Sequence, residues 1–177
     1  MKTIYFVRHG EAQANIDGLL AGAKTDSPLT VKGEAQAHDL AATLASKPVD
    51  LIVASPLIRA MKTAEIIAGQ LGYQQAIQAN ALFIERDFGS ATNMPKPQAY
   101  AMLDDGRITD AESIEAFGKR AEQALAWLRT LSAEHILVVS HSAFGQMLGT
   151  IAQGGEAADF LKFPHLANAG TFEFELS

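Results

Sequence analysis

Arg8-His9-Gly10-Glu11 follows directly on the apolar run Ile4-Tyr5-Phe6-Val7. A guanidinium can grip two oxygens of an anion with its planar fork, and a neutral imidazole beside it can attack phosphorus. Gly10 lets the backbone approach a ligand closely. The tetrad therefore suits a site that holds a phosphate with Arg8 and attacks it with His9. Two further groups have similar placement. Arg59 comes four residues after Ser55, behind the apolar run Leu51-Ile52-Val53-Ala54. His141, within Ser140-His141-Ser142, follows Ile136-Leu137-Val138-Val139. Taken singly, Arg59 reads as a solvated helix residue and His141 as a strand-end imidazole bonded to a neighbouring carbonyl. Three apolar runs that each end in a basic or imidazole side chain argue instead for one shared anion site.

The elements that must carry these groups alternate along the chain. Residues 4–7, 50–54 and 136–140 read as buried strands, and 171–176 alternates like an edge strand. A weaker strand is expected near 75–78. Between them run amphipathic helices. Thr30 is the expected N-cap of one that extends to about Ala45, with Pro48 marking its end. Ser55 is the expected N-cap of the next, Pro56 its first helical residue, and Leu57, Met61, Ala64, Ile67, Ala68 and Leu71 its apolar face. A third presents Ile114, Phe117, Ala121, Leu125, Leu128 and Leu131. A fourth is expected after Ser142 despite Gly145 and Gly149. This order predicts an α/β fold: a three-layer α/β/α sandwich with a mostly parallel central sheet, formed by residues 1–177 as one domain. In such sheets ligands bind at the carboxyl ends of the strands, where the three groups stand.

Composition narrows the partners. The 177 residues are 48% hydrophobic and carry a formal charge of −6, which argues against general nucleic-acid binding. No stretch approaches the about 20 apolar residues of a membrane span. The start Met1-Lys2-Thr3 with four apolar residues and Arg8 is too short for a secretory signal, and a cytoplasmic location is expected. Without cysteine there is no thiolate chemistry or disulfide framework. His38, His135 and His165 lack the spacing of metal ligands, so no metal is expected. Trp127 reads as core or boundary, and the Met94 to Met102 region fits substrate contact and loop packing equally well. Oligomeric state is not legible.

Several motifs in order then resemble the histidine phosphatase superfamily, also called phosphoglycerate mutase-like. They are Arg8-His9-Gly10-Glu11, Asn15, Asp26-Ser27-Pro28-Leu29-Thr30 with Gly33, Ser55-Pro56-Leu57-Ile58-Arg59-Ala60 with Thr63-Ala64, Glu85-Arg86-Asp87-Phe88-Gly89, Val139-Ser140-His141 and Asn168-Ala169-Gly170-Thr171. The resemblance implies that His9 is a nucleophile that becomes transiently phosphorylated, that Arg8, Arg59 and His141 bind the phosphate, and that Asn15 donates a further hydrogen bond. Ser142 would donate through its backbone N–H, although glycine is common there in relatives. Glu85 matches the general acid, with Asp87 a weaker candidate. The acid that follows the second histidine in acid-phosphatase relatives is here replaced by Ser142. No cofactor is implied.

After Gly89 the chain departs from many relatives, reading Ser90-Ala91-Thr92-Asn93. Residues 94–110 should form or border a short lid whose basic residues, Lys96 and Arg107, are expected to be solvated. Without the longer insertions of true mutases, transfer to water is expected rather than return to a bound intermediate. The expectation is a metal-independent phosphomonoesterase acting on a small phosphorylated metabolite. The alternatives are a mutase, a protein phosphohistidine phosphatase and an inactive module that binds phosphorylated ligands.

Overall fold

A computed structural model describes residues 1–177. The strands are β1 (Lys2–Arg8), β2 (Leu51–Ala54), β3 (Gln78–Ala79), β4 (His135–Ser140) and β5 (Thr171–Leu176). They form one sheet in the order β3-β2-β4-β1-β5, parallel except that β5 runs antiparallel to β1. The helices are α1 (Gln13–Ile16), α2 (Val31–Leu44), α3 (Ile58–Leu71), α4 (Lys96–Asp104), α5 (Ile114–Thr130) and α6 (Ser142–Ala152). None is long and apolar enough to cross a membrane.

The period-2 geometry of a strand divides the core between two faces. Ile4, Phe6, Val53, Ile136 and Val138 point to one face, where Phe117, Leu128, Phe144 and Met147 of α5 and α6 cover them. Tyr5, Val7, Ile52, Ala54, Leu137 and Val139 point to the other, under Leu40, Leu44, Ala64 and Ile67 of α2 and α3. The three-layer sandwich is thus the observed architecture.

Register brings the three strand ends level. Arg8 pairs with Ser140 and Ala54 with Val139, so His9, Ser55 and His141 leave the sheet along one edge. His9 N–H still donates to Ser140 O (2.9 Å) and Ser55 N–H to Val139 O (2.9 Å), carrying the ladder one step beyond the strands.

Thr30 caps α2 as expected, its hydroxyl accepting Gly33 N–H at 3.0 Å. Two local expectations are corrected. Helix α3 starts at Ile58 with Leu57 as its N-cap residue, so Ser55 and Pro56 lie outside it. Ile58 N–H is instead taken by the Asp26 carboxylate at 2.7 Å, a partner 32 residues away that releases the Ser55 hydroxyl for another bond. The weak strand lies at Gln78–Ala79 rather than 75–78, because only these residues reach β2.

Candidate active site

The loop after β1 is held from three sides. A Cβ on Gly10 would stand 2.3 Å from Gly33 O, and one on Gly33 would stand 2.0 Å from Glu11 O. Only two glycines permit the start of α2 to lie this close against the loop. From the opposite side, Ala169 N–H donates to His9 O (3.1 Å) and Arg8 N–H to Gly170 O (3.0 Å). Thr63 Oγ1 of α3 accepts Gly10 N–H at 3.1 Å.

This bracing orients the His9 ring. Its Nδ1 lies 2.6 Å from Gly10 O, and since a carbonyl can only accept, the ring hydrogen sits on Nδ1. Arg59 Nε–H points at the other nitrogen, Nε2, at 3.2 Å, which marks that atom as a lone-pair carrier. Burial, then the positive charges of Arg59 and Arg8, hold the His9 pKa well below the ordinary histidine value. The folded chain thus keeps a neutral imidazole whose Nε2 carries a lone pair.

The two arginines are themselves fixed. Arg59 donates to Thr25 O (2.8 Å) and Gly22 O (2.9 Å), and Arg8 Nη1 to Leu166 O (2.6 Å). Arg8 Nε is buried without a partner. Burial lowers both guanidinium pKa values, opposed by the nearby negative charge of Glu85. Asn15 uses Oδ1 to accept from Ala12 N–H (2.9 Å) and Asn168 Nδ2 (3.3 Å), leaving its own NH₂ as a donor.

Glu85 stands at the start of α6. Its carboxylate accepts Phe144 N–H (3.0 Å), Ala143 N–H (3.2 Å) and Arg86 N–H (2.9 Å). Its backbone is clamped by Arg120 of α5, which donates to Leu82 O (2.9 Å), Ile84 O (2.7 Å) and Glu85 O (3.3 Å). Arg120 is in turn gripped by both oxygens of Glu112 at 2.9 and 2.8 Å, and lies over the Phe144 ring at 5.1 Å.

His141 has no exposed surface, and its ring centroid lies 5.2 Å from that of His9. Its Nε2 meets Ser55 Oγ at 2.7 Å, while Nδ1 is buried without a partner. Burial, followed by the charge of Arg59, keeps its pKa well below the usual value.

Arg8, His9, Asn15, Arg59, Glu85 and Ser142 all line one cavity of about 780 Å³; His141 stands behind its wall rather than on it. Sequence reasoning missed part of the lining. Lys96 was expected in solvent, but it faces the cavity, and burial and Arg8 depress its pKa. It lies there because Lys96, Tyr100 and Leu103 share one face of α4, an i, i+4, i+7 spacing that was readable. Arg107 is solvated as expected, paired with Asp105. Gln146, Leu161 and His165 also line the cavity and carried no local signal.

Comparison with known proteins agrees with the geometry. The model of the histidine phosphatase superfamily (branch 1) matches residues 4–177. The uncharacterized phosphatase PhoE of Bacillus subtilis (strain 168) is 34% identical over 170 residues, 96% of this chain and 86% of that protein. GpmB of Enterobacter sp. (strain 638), classed by name with the phosphoglycerate mutases, is 34% identical over 162 residues, 85% of this chain and 75% of its own. The crystal structure of the alpha-ribazole phosphatase from Shigella flexneri superposes with a TM-score of 0.86 at 27% identity, covering 99% of this chain and 91% of that one.

Proposed function

This chain belongs to the histidine phosphatase superfamily (branch 1), and on that premise we propose that it hydrolyses small phosphomonoesters through a phosphohistidine on His9. The observation that carries the reading is His9 Nε2, held as a lone pair by the Gly10 carbonyl and Arg59, on the same cavity wall as the Glu85 carboxyl.

Glu85 serves as the general acid of the first step. His9 Nε2 attacks phosphorus and the bond from phosphorus to the ester oxygen breaks. The departing oxygen takes the Glu85 proton and leaves as an alcohol. Glu85, now a carboxylate, takes a proton from water; the resulting hydroxide attacks phosphorus, the P–N bond breaks and inorganic phosphate leaves. Arg8 and Arg59 supply the positive charge that the equatorial oxygens need in a loose transition state, which makes a metal unnecessary. The Asn15 amide and the Ser142 backbone N–H are the further donors.

The compact segment after Gly89, whose one α-helix is the nine-residue α4, favours water as the acceptor. The GpmB relatives support a second reading, in which the phosphoryl group returns to another position of the same substrate.

One experiment tests the first. Aryl and alkyl phosphates are assayed in EDTA with wild type, His9→Ala and Glu85→Gln. Turnover should persist in wild type and fall to background in His9→Ala. Glu85→Gln should lose about 10²–10⁴-fold on alkyl esters and far less on aryl esters, whose leaving groups need little protonation. Ester hydrolysis that survives His9→Ala would sink the mechanism.

A further inference from the structure

We infer that the natural leaving group carries a large apolar body, which lies along a wall made by Leu103, Ile114, Phe160 and Leu161. The inference rests on the phosphatase reading above and names the substrate class of that same site.

Polar and apolar side chains both line the cavity. Arg8, His9, Asn15 and Arg59 line it, and burial, then the positive charge of Arg8, depresses the pKa values of Lys96 and His165 beside them on the lining. Those groups serve the phosphoryl end. Arg86 is occupied, with Nε on Glu112 O at 3.0 Å and its guanidinium over the Phe88 ring at 5.4 Å. The same cavity takes aliphatic or aromatic lining from separate elements: Leu103 from α4, Ile114 from the start of α5, and Phe160 and Leu161 from the 3-10 turn at Ala157–Lys162.

Two of the six exposed large apolar residues stand at this cavity, Leu161 at 72% exposure and Tyr100 at 47%. Apolar surface left facing solvent around a catalytic cavity is surface that a ligand would cover. The size agrees. About 780 Å³ lies within the range of about 300–1,000 Å³ typical of pockets that enclose drug-sized ligands, far more than a phosphate with a three-carbon acid fills. Gln146, its Nε2 tied to Phe163 O at 2.8 Å, and Asp104 also line the cavity, and both can accept from a hydroxyl or amino group on that body.

The test measures kcat/KM for n-alkyl phosphates from ethyl to hexyl and for 3-phosphoglycerate, in wild type, Leu103→Ser and Leu161→Ser. Each methylene that settles on the wall should raise kcat/KM about fourfold, the equivalent of about 0.8 kcal/mol at about 1.4 kcal/mol per tenfold. Hexyl phosphate should exceed 3-phosphoglycerate, and both variants should lower the hexyl-to-ethyl ratio by about threefold or more. His9-dependent hydrolysis with a flat or falling chain-length series would overturn the apolar leaving group while leaving the phosphatase reading intact. A rising series with unchanged ratios in both variants would place the apolar contact elsewhere and overturn the assigned wall. Absence of turnover on every ester would remove the phosphatase reading, and this inference with it.

Discussion

His9 is 4% exposed and His141 fully buried, and both stay neutral because burial and neighbouring arginines disfavour the imidazolium. In the unfolded chain each would titrate near the ordinary value of about 6.5. As pH falls through that value the unfolded state takes up two protons that the folded state refuses, so stability falls with decreasing pH. The contribution is fully present above about pH 6.5 and declines toward the depressed folded values. Between pH 6.5 and 5.5 the loss should be on the order of 2 kcal/mol for the two rings together. Urea unfolding across this range should show it, and His9→Ala should remove about half the slope; an unchanged slope would mean that His9 does not titrate this way. At this scale Arg8, His9, Arg59 and His141 were nameable from their places at strand ends, and Asn15, Glu85 and Ser142 only through the family resemblance. Ser55 as the partner of His141 was not. The two are 86 residues apart, and a hydroxyl that caps its own helix looks the same in sequence as one that serves another strand.

At the scale of elements, the loop that carries Glu85 has little regular structure of its own, and its position comes from α5 and α6. Arg120 binds three of its carbonyls, and the first turn of α6 binds its carboxylate. Arg120→Met should therefore do two things. It should destabilise the fold by about 2 kcal/mol, between the values for exposed and buried pairs, because Arg120 and Glu112 are 17% and 16% exposed. It should also slow alkyl esters more than aryl esters, the same signature as Glu85→Gln, and add little when combined with that variant. Additive losses in the double variant would show that Arg120 does not act through Glu85. Helices α2, α3, α5 and α6 were legible in the sequence, and the cap of α2 from Thr30, whereas α1 and α4 were not. The start of α3 was not, because its cap is the remote Asp26.

At the scale of the molecule, β1 and β4 lie inside the sheet with almost all of their residues buried. The segment that walls the cavity rests on less. Ala99 is the one buried residue of α4, and it belongs to a small cluster with Leu20, Phe88 and Ala91. Native-state hydrogen exchange should accordingly find the β1 and β4 amides among the slowest in the chain and those of α4 opening far earlier. Equal protection of α4 and β4 would contradict this division. The same division separates what the chain states locally from what it does not. Strand and helix types, the α/β class and the three strand-end motifs follow from the amino-acid sequence alone, because side-chain periodicity and turn chemistry act over a few residues. The insertion of β4 between β1 and β2, the withdrawal of His141 behind the cavity wall and the clamp of Arg120 on the Glu85 loop were decided only by tertiary structure. Each depends on pairing between residues tens of positions apart, which buried area and hydrogen-bond satisfaction select and local pattern does not encode.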